Sequence, residues 1–324
     1  MYKATLYVAW WSIVVRKMHK ECKSTTPPPA VIKVIGVGGC GCNAVEHLIR
    51  TGETGVEYIF ASTDFRTRNT GLPAHRIQLD SSEACAMESV VHEIKAAITG
   101  AQVLCIAAGL GGHAGGTYAH VIASAAREMG IRTFGILFTP FDFEGQKRYD
   151  RAAASLRLLD ASLNMMTVVS NEKLLAVCGN VSQKAAFSIA NEVLANAVRG
   201  MVDIAAAMPR LMECEDYCRV LQMPGRALIG SASAIGPFQA NIAFARALEC
   251  PLVADQDLLN AKAALILLTV AENSLKLGEF LQARNMVIAH WPSNIPIVFE
   301  TACDTTLQNE VRVAVMVTGI SSGP

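Results

Sequence analysis

The sequence predicts an α/β protein: a parallel sheet with helices on both faces, a long central helix, and a smaller α+β unit at the C-terminal end. Three observations predict it. Short apolar runs alternate with longer helical stretches from Val31 onward. Two glycine-rich runs each follow such an apolar run and open a helix. An Ala-rich stretch from Gln183 to Ala207 then reads as one helix, apolar on several sides, and fits burial between two layers.

In chain order, Val31–Ile35 reads as a buried strand, Asn43–Thr51 as a helix and Tyr58–Ser62 as a strand. Asp80-Ser-Ser-Glu83 leads almost directly into a helix, and Val103–Ala108 is the next strand. Val121–Met129 reads as a helix, with strands at Phe134–Phe138 and Met166–Ser170. After Pro209 the composition changes. Ala263–Val270, Met286–Ala289, Ile297–Glu300 and Arg312–Val317 are expected as strands, and Gln239–Leu248 as a helix. The expected division is an extension and linker over 1–29, a nucleotide-binding unit over 30–182 and the central helix over 183–208. A connecting loop follows over 209–224, and an α+β unit over 225–320.

Composition narrows the function classes. The 324 residues are 52% hydrophobic and 17% charged, enough for a large core. Formal net charge is zero, which argues against a nucleic-acid binder held by bulk electrostatics and leaves association between copies unopposed. Ten scattered cysteines, several inside apolar runs, fit buried thiols in a reducing cytoplasm. The apolar run Ala4–Val15 is shorter than the roughly 20 residues of a membrane-spanning helix. It is expected as a loosely packed extension or as the product of an unused start upstream of Met18, ahead of a membrane-surface tether. Thr25-Thr-Pro-Pro-Pro29 then reads as a stiff linker.

Gly36-Val-Gly-Gly-Cys-Gly-Cys-Asn43 follows the first strand. Glycine lets backbone approach a phosphate, and a helix N-terminus offers N–H groups and the positive end of a dipole. Gly36, Gly38 and Gly41 match the Rossmann-like spacing G-x-G-x-x-G, with Asp64 after the second strand, so NAD is one candidate ligand. The second run, Gly109-Leu-Gly-Gly-His-Ala-Gly-Gly-Thr117, favours a polyphosphate cradled from two sides.

Together with Val31-Ile-Lys-Val-Ile-Gly-Val-Gly-Gly39 and Ile106-Ala-Ala-Gly-Leu-Gly-Gly112, four further segments carry a family resemblance. They are Phe143-Glu-Gly-Gln-Lys-Arg148, Asn171-Glu-Lys-Leu-Leu175, Ala190-Asn-Glu-Val-Leu194 and Glu310-Val-Arg-Val-Ala-Val-Met-Val-Thr-Gly-Ile320. The chain resembles the tubulin/FtsZ family from about Ala30 to Ile320. The resemblance implies a GTP-binding sheet, GTP or GDP as ligand with Mg²⁺ as an accompanying cation, and head-to-tail association of copies or copolymerisation with an ordinary FtsZ. It also implies weak GTPase activity completed between subunits and a cytoplasmic place of work. The rival reading is a structural paralogue that does not hydrolyse nucleotide.

Residue by residue, the resemblance places Gly38, Gly39, Cys40, Gly41, Cys42 and Asn43 at the α- and β-phosphates, and Gly111, Gly112, His113, Ala114 and Gly115 at the second phosphate turn. Glu144 falls at the ribose and Arg148 at a phosphate. The plain alternative for these two is a surface i,i+4 ion pair. Phe187, Asn191 and Glu192 fall at the guanine, with Glu192 where family members carry Asp. Glu213 and Asp216 best reproduce the acidic pair that a neighbouring subunit inserts to polarise water, with Glu215 competing. A Cys-X-Cys metal site at Cys40 and Cys42 lacks a second ligand pair in the sequence, so no metal ligands are expected.

Three features depart from the family pattern. The stretch between Leu79 and Val103 is shorter and lacks a further glycine-rich loop that touches the γ-phosphate. The signature turn has His113 in place of a glycine and Ala114 in place of a hydroxyl. The sequence ends at Pro324 without the usual flexible tail, so membrane association is not expected.

Overall fold

The structure is a computed structural model that describes residues 31–52, 55–64, 71–79, 84–179, 181–211, 217, 220, 226–249, 261–271, 275–291, 295–304 and 307–320. The apolar runs of the N-terminal half become β1 (Ile32–Val37), β2 (Val56–Ser62), β3 (His75–Gln78), β4 (Val103–Gly109), β5 (Arg132–Thr139) and β6 (Met165–Ser170). They form one sheet in the order β3-β2-β1-β4-β5-β6, and every pairing is parallel. β1 is buried along its whole length, which is why its sequence shows no alternation.

Helices cover both faces. On one face, Cys42, Val45 and Leu48 of α1 (Gly38–Arg50) pack with Val34, Cys105 and Phe134. On the other, α2 (Ala84–Ile98) and α3 (His113–Glu128) bring Val90, Ile94, Ala119 and Ile122 against Ile35, Leu104 and Ile106. A 3₁₀ turn (Asp142–Glu144) leads into α4 (Gln146–Ser162), and β6 leads into α5 (Asn171–Cys178).

α6 (Gln183–Leu211) has 29 residues, a length of about 44 Å at 1.5 Å per residue. Its Ala195, Val198, Met201, Val202 and Ala205 share one core with the first sheet and with Ile229, Leu265, Leu267 and Met316 of a second sheet. This is the layered burial that its all-round apolar character implied. Gly200 is the contact point: a Cβ there would stand 3.0 Å from Ser231 Cβ, so the helix sits directly on the second sheet. Buried Arg312 donates to Asp203 at 3.0 Å and ties the two together.

The second sheet has the order β7-β10-β8-β9, from β7 (Arg226–Ile235), β8 (Ala263–Val270), β9 (Ile297–Cys303) and β10 (Glu310–Ile320). β10 runs antiparallel to β7 and β8, and β9 lies parallel to β8. α7 (Gln239–Leu248) and α8 (Leu277–His290) cover its outer face through Phe244, Phe280, Ala283 and Val287.

Met286–Ala289, expected as a strand, is the last part of α8. Four apolar residues fit either period. Here Val287 is buried beside Ala283, an i,i+4 face that a strand reading overlooks. β7 was not anticipated, because Gly230, Ser231 and Ser233 dilute its apolar signature. α1 and α3 both start earlier than expected. Part of each glycine run is helical: Gly38–Asn43 open α1 directly after β1, and His113–Thr117 open α3 after the short turn Leu110–Gly112.

Candidate nucleotide site

The site follows from the strand order. β1 and β4 are neighbours, yet the chain leaves β1 into a helix on one face and leaves β4 into a helix on the other. A crevice opens where the two connections diverge, at the carboxyl ends of the strands, and α/β sheets bind ligands there. A cleft of ≈ 960 Å³ occupies this position, within the range of small-molecule sites. Both sequence-predicted turns line it, through Gly38, Gly39, Cys40 and Asn43 on one side and Gly109 and Gly111–Gly115 on the other.

The two helix N-termini abut. Gly38 has φ +70°, a conformation that costs an L side chain strain, and a Cβ there would lie 3.5 Å from Gly115 N. Gly115 in turn is pressed against the Gly109 carbonyl, leaving no room for a side chain. Neither α1 nor α3 has a side-chain cap, and neither carries an acidic residue in its first turn. Two uncapped N-termini directed at one cleft present partial positive charge to an anion.

Cys40 sits between the turns, half-buried and packed on Gly109. Burial first, then the nearby Glu144 carboxylate and Cys42, push its thiol up to about 12. It therefore stays protonated near neutrality in the free protein. Among the described residues no three His, Cys, Asp or Glu side chains converge on a metal position.

Glu144 and Arg148 both line the cleft and form an ion pair with each other. They span the 3₁₀ turn and the start of α4, with φ +93° at Gly145 between them, rather than lying along one regular helix. Glu144 also accepts the Phe141 N–H at 2.9 Å, which holds the carboxylate at the rim. Asn191 lines the cleft from α6.

Other expected residues fall elsewhere. Gly41 and Cys42 do not appear in the lining. A Cβ at Gly41 would overlap the Ala107 carbonyl, so this glycine permits α1 to touch β4. Cys42 is fully buried, and its Sγ donates to Gly36 O at 3.1 Å. Both lie on the side of α1 turned to the sheet, whereas Asn43, further along the helix, faces the cleft. Glu192 is exposed on α6 and outside the lining, one residue round the helix from Asn191. The Phe187 side chain, Glu213 and Asp216 lie outside the described residues.

Sequence reasoning missed Asn171 as a site residue. It is the first residue of α5, buried, and lines the cleft, and its Oδ1 has no hydrogen-bond partner. A buried carbonyl oxygen without a donor is costly and fits a ligand that brings one. Thr63, Thr139 and Pro140 complete the rim from β2 and β5. Asn171 had a signal, since it opens one of the family-like segments; the others had none.

Known proteins resemble this chain in sequence and in fold. Residues 31–179 match the model of the Tubulin/FtsZ family GTPase domain, and residues 225–321 match the FtsZ family C-terminal domain. The chain is 33% identical over 320 residues to the cell division protein FtsZ of Coxiella burnetii, covering 93% of this chain and 82% of that one. It is 34% identical over 309 residues to the FtsZ of Pseudomonas aeruginosa, covering 90% and 78%. A solved FtsZ dimer from M. jannaschii is 28% identical and superposes with a TM-score of 0.73 over 94% of this chain and 91% of that chain. With both family models matched along the sequence and FtsZ relatives 33% and 34% identical over most of both chains, this chain belongs to the tubulin/FtsZ family.

Proposed function

We propose that the chain binds GTP or GDP in the cleft between α1 and α3 and associates head to tail, with slow GTP hydrolysis completed between subunits in a cell-division or cytoskeletal role in the cytoplasm. The observation that carries this reading is the pair of uncapped helix N-termini meeting at the switch point of the sheet. In this reading Gly38, Gly39, Cys40 and Asn43 face the inner phosphates, and Gly111 to Gly115 face the outer ones. Glu144 takes the ribose hydroxyls, Arg148 a phosphate, and Asn171 and Asn191 the base, with Phe187 stacking on it. A head-to-tail contact uses two different patches and does not close, which is how identical copies extend into filaments. Glu213 and Asp216 of one copy complete the site of the next by orienting water on the γ-phosphate. Ala114 brings no hydroxyl to the phosphate turn, and among the described residues no three His, Cys, Asp or Glu side chains converge on a cation position.

Acid extraction of the purified chain followed by ion-exchange chromatography tests the reading. Guanine nucleotide should be released at a stoichiometry approaching one. A folded chain that is empty and takes up neither GTP nor GDP overturns it.

One observation favours a second reading, a paralogue that does not hydrolyse and that copolymerises with or caps an ordinary FtsZ. His113 and Ala114 both line the cleft where the family pattern has glycine and a hydroxyl, and only residues 79–83 connect β3 to α2. Phosphate release by the chain alone separates the two readings: turnover eliminates the second, and its absence eliminates the first reading's hydrolytic step.

A further inference from the structure

His113 is the residue of the cleft that the glycine pattern does not explain. It is the first residue of α3, is exposed, and lines the cleft beside Gly112 and Ala114. Among the described residues its imidazole makes no hydrogen bond, ion pair or ring contact. The position is next to the abutting N-termini, because Gly38 of α1 approaches Ala114 and Gly115 of α3. The side chain at position 113 therefore belongs to the same cleft that those N-termini border.

Among the described residues, the charged and titratable groups that line the cleft with it are Cys40, Glu144 and Arg148. From α1 the cleft contains Cys40, whose thiol stays protonated well above neutrality. The 3₁₀ turn contributes Glu144, and α4 contributes Arg148, which are paired with each other. No charged residue of α2, β1, β4 or β5 lines the cleft among the described residues. The Glu144–Arg148 pair is compensated internally, which leaves His113, among the described residues, as the basic side chain of the lining with no partner charge.

We propose that His113 makes nucleotide binding proton-coupled, and that it is a determinant of how strongly this chain prefers three phosphates to two. The neutral imidazole donates a single hydrogen bond to a phosphate oxygen. The imidazolium donates a charge-assisted one, which is stronger. Binding therefore draws a proton onto His113, and affinity rises as pH falls through the imidazole range. The triphosphate carries more charge beside the turn and gains more than the diphosphate. This proposal rests on the reading of the cleft as a guanine-nucleotide site. It goes further in naming a residue the family pattern does not supply, and a regulation by pH that the pattern does not carry.

The test is calorimetric titration of the full chain with GTPγS and with GDP between pH 6 and pH 8, repeated in buffers of differing ionisation enthalpy to count protons. The parent is compared with His113→Gly and His113→Asn. Because the terminal phosphate itself titrates in this range, the quantity read is the difference between parent and variant. Relative to His113→Gly, the parent should gain about tenfold in affinity for GTPγS on going from pH 8 to pH 6, with a smaller gain for GDP. It should also take up an additional fraction of a proton. His113→Asn keeps a donor without a titrating charge and should follow His113→Gly in slope. Equal pH slopes and equal proton uptake in parent and both variants overturn the proposal while leaving the nucleotide site standing. Failure of the parent and both variants to bind either nucleotide at any pH overturns the site reading and the proposal with it.

Discussion

At the scale of single residues, buried polar groups without partners are the most informative. Asn171 holds an unpartnered buried Oδ1 in the cleft wall, which is costly to the free protein. Asn171→Ala should leave the free protein as stable or about 1 kcal/mol more stable in urea denaturation, while weakening GDP binding about tenfold by fluorescence titration. The thiols give a pH signature of opposite origin. Burial raises Cys40 and Cys105 to about 12, so the folded chain holds these protons where the unfolded chain has released them. The raised folded value means their contribution is whole below the ordinary thiol range and is lost as pH climbs toward 12. Denaturation midpoints should therefore fall between about pH 9 and pH 11, and Cys105→Ala should flatten that fall. A midpoint unchanged over this range would contradict the burial.

Among the elements, α6 decides whether the two sheets act as one body. Small residues bring it close to the second sheet at Gly200 and Ser231, and Asp203 with Arg312 fastens the contact. Both side chains of the pair are largely buried, at 10% and 13% exposure, so deleting one removes a charge-assisted bond from a poorly solvated partner. Arg312→Ala should cost about 3–5 kcal/mol in urea denaturation, and the double change with Asp203→Ala should cost less than the sum of the two single changes. Strict additivity would show that the pair is not coupled. The same helix carries Asn191 at the cleft and leads toward residues 212–216, so it spans from the nucleotide site to the segment holding Glu213 and Asp216.

For the whole molecule, the proposed activity belongs to no single copy. If one subunit's acidic pair completes the next subunit's cleft, Asp216→Ala should bind GTP with parental affinity and release phosphate at least tenfold more slowly. An equal mixture of Asp216→Ala with a cleft-deficient variant such as Gly115→Leu should recover part of the lost turnover, since each copy lends what the other lacks. Steady-state phosphate release against protein concentration checks both, and equal turnover in Asp216→Ala and the parent removes that residue from the reaction. Association of this kind also predicts turnover per subunit that rises with concentration.

The sequence by itself determined the class of the fold and the two phosphate-type turns. Strands buried on both faces of a parallel sheet are continuous apolar runs, and glycine spacing at a helix start is a local property, so both were legible in Val31–Ile35, Val103–Ala108 and the glycine runs. What the tertiary structure alone decided was the company these turns keep. Asn171, Thr63, Thr139 and Pro140 come from separate strand ends and meet only because β1 and β4 are neighbours in a sheet of order β3-β2-β1-β4-β5-β6. The division of one glycine run into a cleft-facing Gly38–Cys40 and a buried Gly41–Cys42 likewise depends on where the first turn of α1 touches β4. β7, which no apolar pattern announces, and the end of α8, which reads as a strand, have a related cause: a strand diluted by Gly and Ser, and a four-residue apolar run, acquire their identity from the partner they pack on.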